Sequence, residues 1–189
     1  GLPKWKPANY TEEFFGLTTM RTGIEKSRNL MTIRLADKIG MKKILETVKD
    51  FELDQYIDEQ LSMSLGSGLV TLADLTNSYG MIVNGGNKIS PNMIKSIYSK
   101  EGKKIYNSSV KKCINCKIEK IVDTTKIPTI INNQISILDP KFAYQITSML
   151  EGVVLRGTGR KLNSLKIPLA GKTGTTNENK DAWFIGFSP

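Results

Sequence analysis

The sequence predicts an α+β fold, helices first and a pair of antiparallel strands at the end. Three observations predict it. Segments with apolar residues at three- and four-residue spacing, each with a capping residue or a glycine stop, fill much of the chain before residue 90. The last 24 residues instead show two short β-prone runs around a polar turn. A helix-rich chain with strands at its end is an α+β arrangement. With 189 residues and 39% hydrophobic content the chain can bury a core, and no apolar run approaches the roughly 18 residues of a membrane-spanning helix.

The elements follow in order. "GLPKWKPANYTEEFFG" holds two prolines and then an acidic-apolar stretch, an extended lead into a short helix. Leu30, Ile33, Ala36 and Ile39 recur at helical spacing, with Ser27 placed to cap the start and Gly40 to stop the end. "MKKILETVKDF" is another short helix, and a further one runs from its cap Thr71 to Gly85-Gly86. β-branched and aromatic residues on both sides of Glu101-Gly102-Lys103 give a β-hairpin. The basic, irregular stretch 107–137 reads as an insertion within a domain that otherwise spans 1–189. Asp139 as cap with Pro140 at the first helical position marks the next helix. "KIPLAGKTGTT" and "DAWFIGFS" are the two strands, joined by "NENK". No internal repeat or linker composition interrupts the chain, and its start at Gly1-Leu2-Pro3 rather than methionine reads as a processed or excised piece.

Net charge is +9, from 27 Lys and Arg against 18 Asp and Glu. The basic residues are scattered, which makes a solvated basic face rather than a dedicated polyanion site. Cys113 and Cys116 form "CINC" in a lysine-rich stretch; with no histidine and no second cysteine pair, Cys and His cannot complete a zinc tetrad. The pair reads as a surface-loop feature.

Gly171-Lys172-Thr173 suggests an anion site. A phosphate-binding loop would need glycine where Lys166 stands, and a helix where the sequence continues as a strand. On an edge strand, Lys172 and Gly174 share one face, with Thr173 and Thr175 on the other or turned to the rim. Gly174 leaves room for an extended peptide to pair alongside. Threonine hydroxyls and an ammonium would then hold that peptide's terminal carboxylate by charge-assisted hydrogen bonds.

The segment "GKTGTTNENKDAWFIGFSP" resembles the Lys-Thr-Gly region of class A penicillin-binding proteins. "WKPANY", "GLTTMRTGIEKSRN", "LGSGLVTLADLTNSYGMIVNGG" and "FAYQITSMLEGVVLRGTG" resemble the same family in the same order. Only Tyr106 to Leu138 is weakly matched. The resemblance implies a serine β-lactamase/transpeptidase-like fold and a DD-transpeptidase that cross-links peptidoglycan stem peptides through a serine acyl-enzyme, with β-lactams trapping the same serine. It implies catalytic roles for Ser27, Asn29 and Lys172. The Ser27 hydroxyl would pass a proton to the departing D-alanine amine. The Asn29 amide would hold the peptide and the catalytic lysine, and Lys172 would supply positive charge. It further implies that Thr173, Gly174 and Thr175 bind substrate, the Thr175 N–H being an oxyanion donor.

The family's nucleophilic Ser-x-x-Lys lies upstream of the "WKPANY" stretch, where this chain begins, and the family continues with a further strand and helix where this chain stops. Ser108 with Lys111 and Ser109 with Lys112 satisfy the spacing by chance, in a region with no helix to present a serine. The expectation is therefore a partial domain, inactive by itself. The resemblance implies no metal or organic cofactor. Its implied partners are the D-Ala-D-Ala stem peptide, β-lactams and other cell-wall synthesis proteins, with no specific nucleic acid. The parent would sit at the periplasmic face of the bacterial inner membrane. Two rival readings are a non-catalytic peptide- or protein-binding module and a nonspecific polyanion binder.

Overall fold

The computed structural model describes residues 5–11, 13–108, 112–114, 129–131, 134–176 and 180–188. They divide into two units, Gly1–Lys88 with Ser136–Pro189, and Ile89–Ile135. The boundaries fall where the sequence carries no linker composition, and the second unit overlaps the stretch 107–137 read as an insertion.

In the larger unit the helices are α1 (Met20–Glu25), α2 (Asn29–Ile39), α3 (Met41–Asp50), α4 (Leu72–Val83) and α5 (Pro140–Leu155). Strands β5 (Ala170–Thr175) and β6 (Ala182–Phe187) pair antiparallel, from Ala170 opposite Phe187 to Thr175 opposite Ala182. The turn "NENK" between them lies largely outside the described residues.

The central element is α5. Asp139 accepts a hydrogen bond from the Lys141 N–H at 2.8 Å and Pro140 occupies the first turn, where its missing N–H costs nothing. The helix then packs against α1, α4 and β5, burying Ala143, Leu150, Val153 and Val154. Met81 of α4 and Val153 are fully enclosed, and Ile33, Ala36 and Ala170 complete the described apolar core.

Caps set the other boundaries. Thr71 Oγ1 accepts from the Asp74 N–H at 3.1 Å, as its place in the sequence predicts. Thr71→Ala should therefore lower stability by about 1 kcal/mol, read as a shift of the urea midpoint with unchanged slope. At the other end of α4, Gly86 has φ +80°, and its carbonyl accepts from the N–H groups of Ile137 and Leu138. A Cβ there would strike the Leu138 carbonyl, so glycine is required both by conformation and by space.

Two expectations need correction. No helix occupies described residues 5–11 or 13–19; the first is α1, capped by Thr19. Ser27 does not cap α2. Arg28 is the N-cap residue, and Ser27 has φ +53°, the left-handed region. With α1 ending at Glu25, only Lys26, Ser27 and Arg28 remain to turn the chain into α2, and a left-handed residue makes so short a turn possible.

In the smaller unit β1 (Ser96–Tyr98) and β2 (Lys104–Asn107) form the expected hairpin, with an irregularity between Ile97 and Tyr98. Its turn is closed by Ser99 N–H to Lys103 O at 2.7 Å and by Gly102 at φ +79°. Strands β3 (Lys112–Ile114) and β4 (Thr129–Ile131) also pair antiparallel. Cys116 lies outside the described residues, as do Ser109 and Lys111. Among the described residues no helix is long and apolar enough to cross a membrane.

Candidate active site

Strand β5 runs from core to solvent: Ala170 and Gly171 are buried, Lys172 and Thr173 half-buried, and Gly174 and Thr175 exposed. Among the described residues it pairs with β6 alone, so its other edge carries no strand. The ladder fixes which groups face that edge. Just beyond the strand, the Thr176 N–H donates to Asp181 O at 3.0 Å. Hydrogen-bonded and non-hydrogen-bonded pairs alternate along an antiparallel ladder. Thr175 opposite Ala182 and Thr173 opposite Phe184 are therefore non-hydrogen-bonded pairs, and their N–H groups point away from β6 toward the open edge. Both threonines are well placed to receive an added extended chain.

The side chains alternate as expected. Lys172 Nζ donates to Ser27 Oγ at 2.7 Å and to the Thr173 carbonyl at 2.9 Å. On the other side of the strand, Thr173 Oγ1 and Thr158 Oγ1 share a hydrogen bond of 2.6 Å. Burial pushes the Lys172 ammonium below its ordinary pKa, since desolvation penalises the charged form. No described carboxylate pairs with it. A half-buried cation held by a hydroxyl and a carbonyl, beside N–H groups aimed at an open edge, is suited to an anion with extended backbone behind it.

Ser27 reaches this position from the short turn between α1 and α2, in which Ser27 N–H donates to Ile24 O at 3.2 Å and Arg28 N–H to Gly23 O at 2.8 Å. Asn29, the first residue of α2, is engaged elsewhere: its amide donates to the Ala8 carbonyl at 3.1 Å. Buried Asn9 fastens the same corner, accepting from the Leu30 N–H at 3.1 Å and donating to Glu13 O at 2.8 Å. The structure thus joins Ser27 to Lys172 across 145 positions, and gives Asn29 a contact with the proline-rich segment instead. Gly174 has open space, an added Cβ meeting only Trp183 Cβ at 3.9 Å.

Sequence reasoning missed three residues around this corner. Glu25 is buried at 4% exposure, and its carboxylate accepts from Arg156 Nε at 2.9 Å and Nη2 at 2.6 Å. Thr158 donates its N–H to Glu25 O at 3.1 Å and shares its hydroxyl with Thr173. The available signal was "GTG", Gly157-Thr158-Gly159, where glycines flank a hydroxyl; nothing in Glu25 or Arg156 marks them locally as partners. A cavity of about 520 Å³ lies along α2, lined by Asn9, Phe15, Arg28 and Met31 among others, and excludes Ser27 and Lys172. Arg28 stacks over Phe15 there, 3.1 Å from the ring centre. No group of three acidic, Cys or His side chains that could hold a metal ion occurs among the described residues.

Residues 2–189 match the family model for the penicillin-binding protein transpeptidase domain. Penicillin-binding protein 1A of Rickettsia bellii is 43% identical over 190 residues, covering 100% of this chain and 24% of that protein. Penicillin-binding protein 1A of Rickettsia typhi is also 43% identical, over 193 residues and with the same coverage. The crystal structure of penicillin-binding protein 1A from Haemophilus influenzae superposes with a TM-score of 0.79 at 28% identity, over 97% of this chain and 30% of that one. The chain thus spans about a quarter of the length of these curated relatives, 24% in each case. The α+β architecture is that of the serine β-lactamase-like transpeptidase domains. An open β5 edge, a half-buried lysine meeting a serine from a distant turn, and a sequence match over almost every residue converge: the chain belongs to the transpeptidase domain family of class A penicillin-binding proteins.

Proposed function

We propose that this chain supplies the carboxylate-holding and proton-handling part of a serine DD-transpeptidase site that cross-links peptidoglycan stem peptides and is acylated by penicillin. One observation carries the reading: the 2.7 Å contact between Lys172 Nζ and Ser27 Oγ. A hydroxyl that accepts from an ammonium keeps its own proton free to donate. Ser27 is thereby equipped to protonate a departing amine, which here is that of D-alanine, and to recover a proton afterwards. Lys172, without a described carboxylate partner, and the hydroxyls of Thr173 and Thr175 take the terminal carboxylate of D-Ala-D-Ala or of a β-lactam. The Thr175 N–H, facing the open edge, is one oxyanion donor. Asn29 sits at the same corner and orients the stem peptide once its amide leaves Ala8.

The serine that forms the acyl-enzyme belongs to a Ser-x-x-Lys segment in this family, and neither spacing match within this chain fills that role. Ser108 is engaged locally, its hydroxyl donating to Lys95 O at 3.2 Å. The protein that carries this domain acts at the extracytoplasmic face of the bacterial inner membrane, where its substrate lies.

Fluorescent penicillin tests the reading on a polypeptide of the relatives' length. The expected result is a covalent serine-linked adduct whose formation slows about a hundredfold in Ser27→Ala, comparable to loss of one preorganised donor. Reversible peptide binding with no adduct would instead establish a binding module. Retention on nucleic acid that persists at moderate salt would establish a polyanion site.

A further inference from the structure

We propose that Glu25 and Arg156 are positioning residues, whose ion pair holds the Ser27 turn against β5 and thereby sets the distance between Ser27 and Lys172. The proposal rests on the reading of Ser27 and Lys172 given above. Ser27 needs external support: it is not glycine, yet it occupies the left-handed region at φ +53°, a conformation that persists when neighbours over-determine it. The neighbour two residues earlier is Glu25, almost wholly buried at 4% exposure. Arg156, just past the end of α5, grips that carboxylate with two donors in the planar fork that arginine alone provides. Arg21 adds a longer contact at 3.6 Å and is itself anchored on Ser148 of α5.

Two glycines make the grip possible. A Cβ at Gly152 would strike the Glu25 carboxylate, and one at Gly157 would strike the Glu25 carbonyl. The helix and the turn after it are thus cut back where Glu25 must lie. The same turn continues into β5. Thr158 N–H donates to Glu25 O at 3.1 Å, and its hydroxyl meets Thr173 Oγ1 at 2.6 Å. Lys172, adjacent to Thr173, closes the circuit on Ser27 at 2.7 Å. Glu25, Thr158, Thr173, Lys172 and Ser27 therefore form a ring of contacts, with Arg156 as its outside brace. Loosening the brace lets the Ser27 hydroxyl drift, and small misplacements of a proton-handling group are costly in rate.

A double-mutant cycle on the polypeptide of the relatives' length tests this, using wild type, Glu25→Gln, Ser27→Ala and the double variant. The readouts are the second-order rate of acylation by fluorescent penicillin and the melting temperature. Glu25→Gln keeps the shape but turns one acceptor into a donor facing Arg156. The expected result is an about tenfold slower acylation in wild type and no further loss in the Ser27→Ala background. A purely structural role would slow both backgrounds equally and overturn the proposal, as would an unchanged rate. Should Glu25→Gln not fold, Arg156→Lys keeps a cation beside Glu25 while losing the two-point grip. It is expected to slow acylation about threefold, again only when Ser27 is present; equal loss in both backgrounds overturns the proposal here too. If Ser27→Ala itself acylates at the wild-type rate, the reading of Ser27 fails first, and that outcome is distinct from either of the others.

Discussion

Replacing Lys172 with methionine is expected to slow acylation by penicillin about a thousandfold, roughly 4 kcal/mol of activation free energy, while leaving the fold at least as stable. The two effects separate because the ammonium is half-buried and desolvated, with a hydroxyl and a carbonyl as partners and no described carboxylate. Burying such a charge opposes folding, and an apolar side chain of similar length removes that opposition. What methionine cannot do is hold the Ser27 hydroxyl or attract the substrate carboxylate. The pH dependence supplies an independent signature. Burial lowers the Lys172 pKa from its ordinary 10.5. Between the lowered folded value and 10.5 the unfolded chain binds more protons than the folded one, so stability rises with pH across that window. Below it both states are protonated and the contribution is flat. The wild type should therefore gain stability relative to Lys172→Met as pH climbs toward 10.5, while its acylation rate falls because the cation is being lost. Urea unfolding and acylation rates measured on both proteins across that range would check this. A variant within tenfold of wild-type rate, or a stability difference independent of pH, would sink the assignment.

Local signals carried most of the fold. The Thr71 and Asp139 caps, the Gly102 hairpin and the antiparallel pair at the chain end are each written within a few residues, and each forms as read. The sequence names candidate site residues but not their geometry. Ser27 looks like a helix cap because serine before an apolar periodic run usually is one. Its actual conformation depends on where α1 ends, and the residue at that end, Glu25, has its partner Arg156 131 positions away. The Ser27 to Lys172 contact spans 145 positions. No window of the sequence contains both partners. Asn29 shows the same limit: its position at the corner followed from its motif, but its bond to Ala8 depends on the path of the proline-rich segment.

Gly171→Val should destabilise the fold by roughly 3 kcal/mol, a fall of about 6 to 12 °C in melting temperature for a chain of this size. Propensity alone predicts the opposite. Valine suits a strand, and replacing glycine removes unfolded-state entropy, together worth about 1 kcal/mol in favour of folding. Space decides the sign. Gly171 lies opposite Gly186 in a non-hydrogen-bonded pair, where backbones approach most closely. A Cβ at Gly171 would stand 2.5 Å from the Ile185 carbonyl oxygen, 2.5 Å from the Phe184 ring and 2.9 Å from Gly186 Cα. The ring can swing aside, but the carbonyl and Cα cannot move without opening the β5–β6 ladder, so trimming Phe184 to alanine should not rescue the variant. Gly174→Val on the same strand is the control. Only Trp183 Cβ lies near, at 3.9 Å, so the favourable propensity term should survive and stability should hold or rise slightly. Acylation should nevertheless fall, because the new side chain stands on the Lys172 face where the substrate backbone is expected to lie. Opposite signs in stability from one substitution at two glycines would show that β5 is packed shut at its core end and kept open at its solvent end; equal losses at both would remove the open edge on which the site depends.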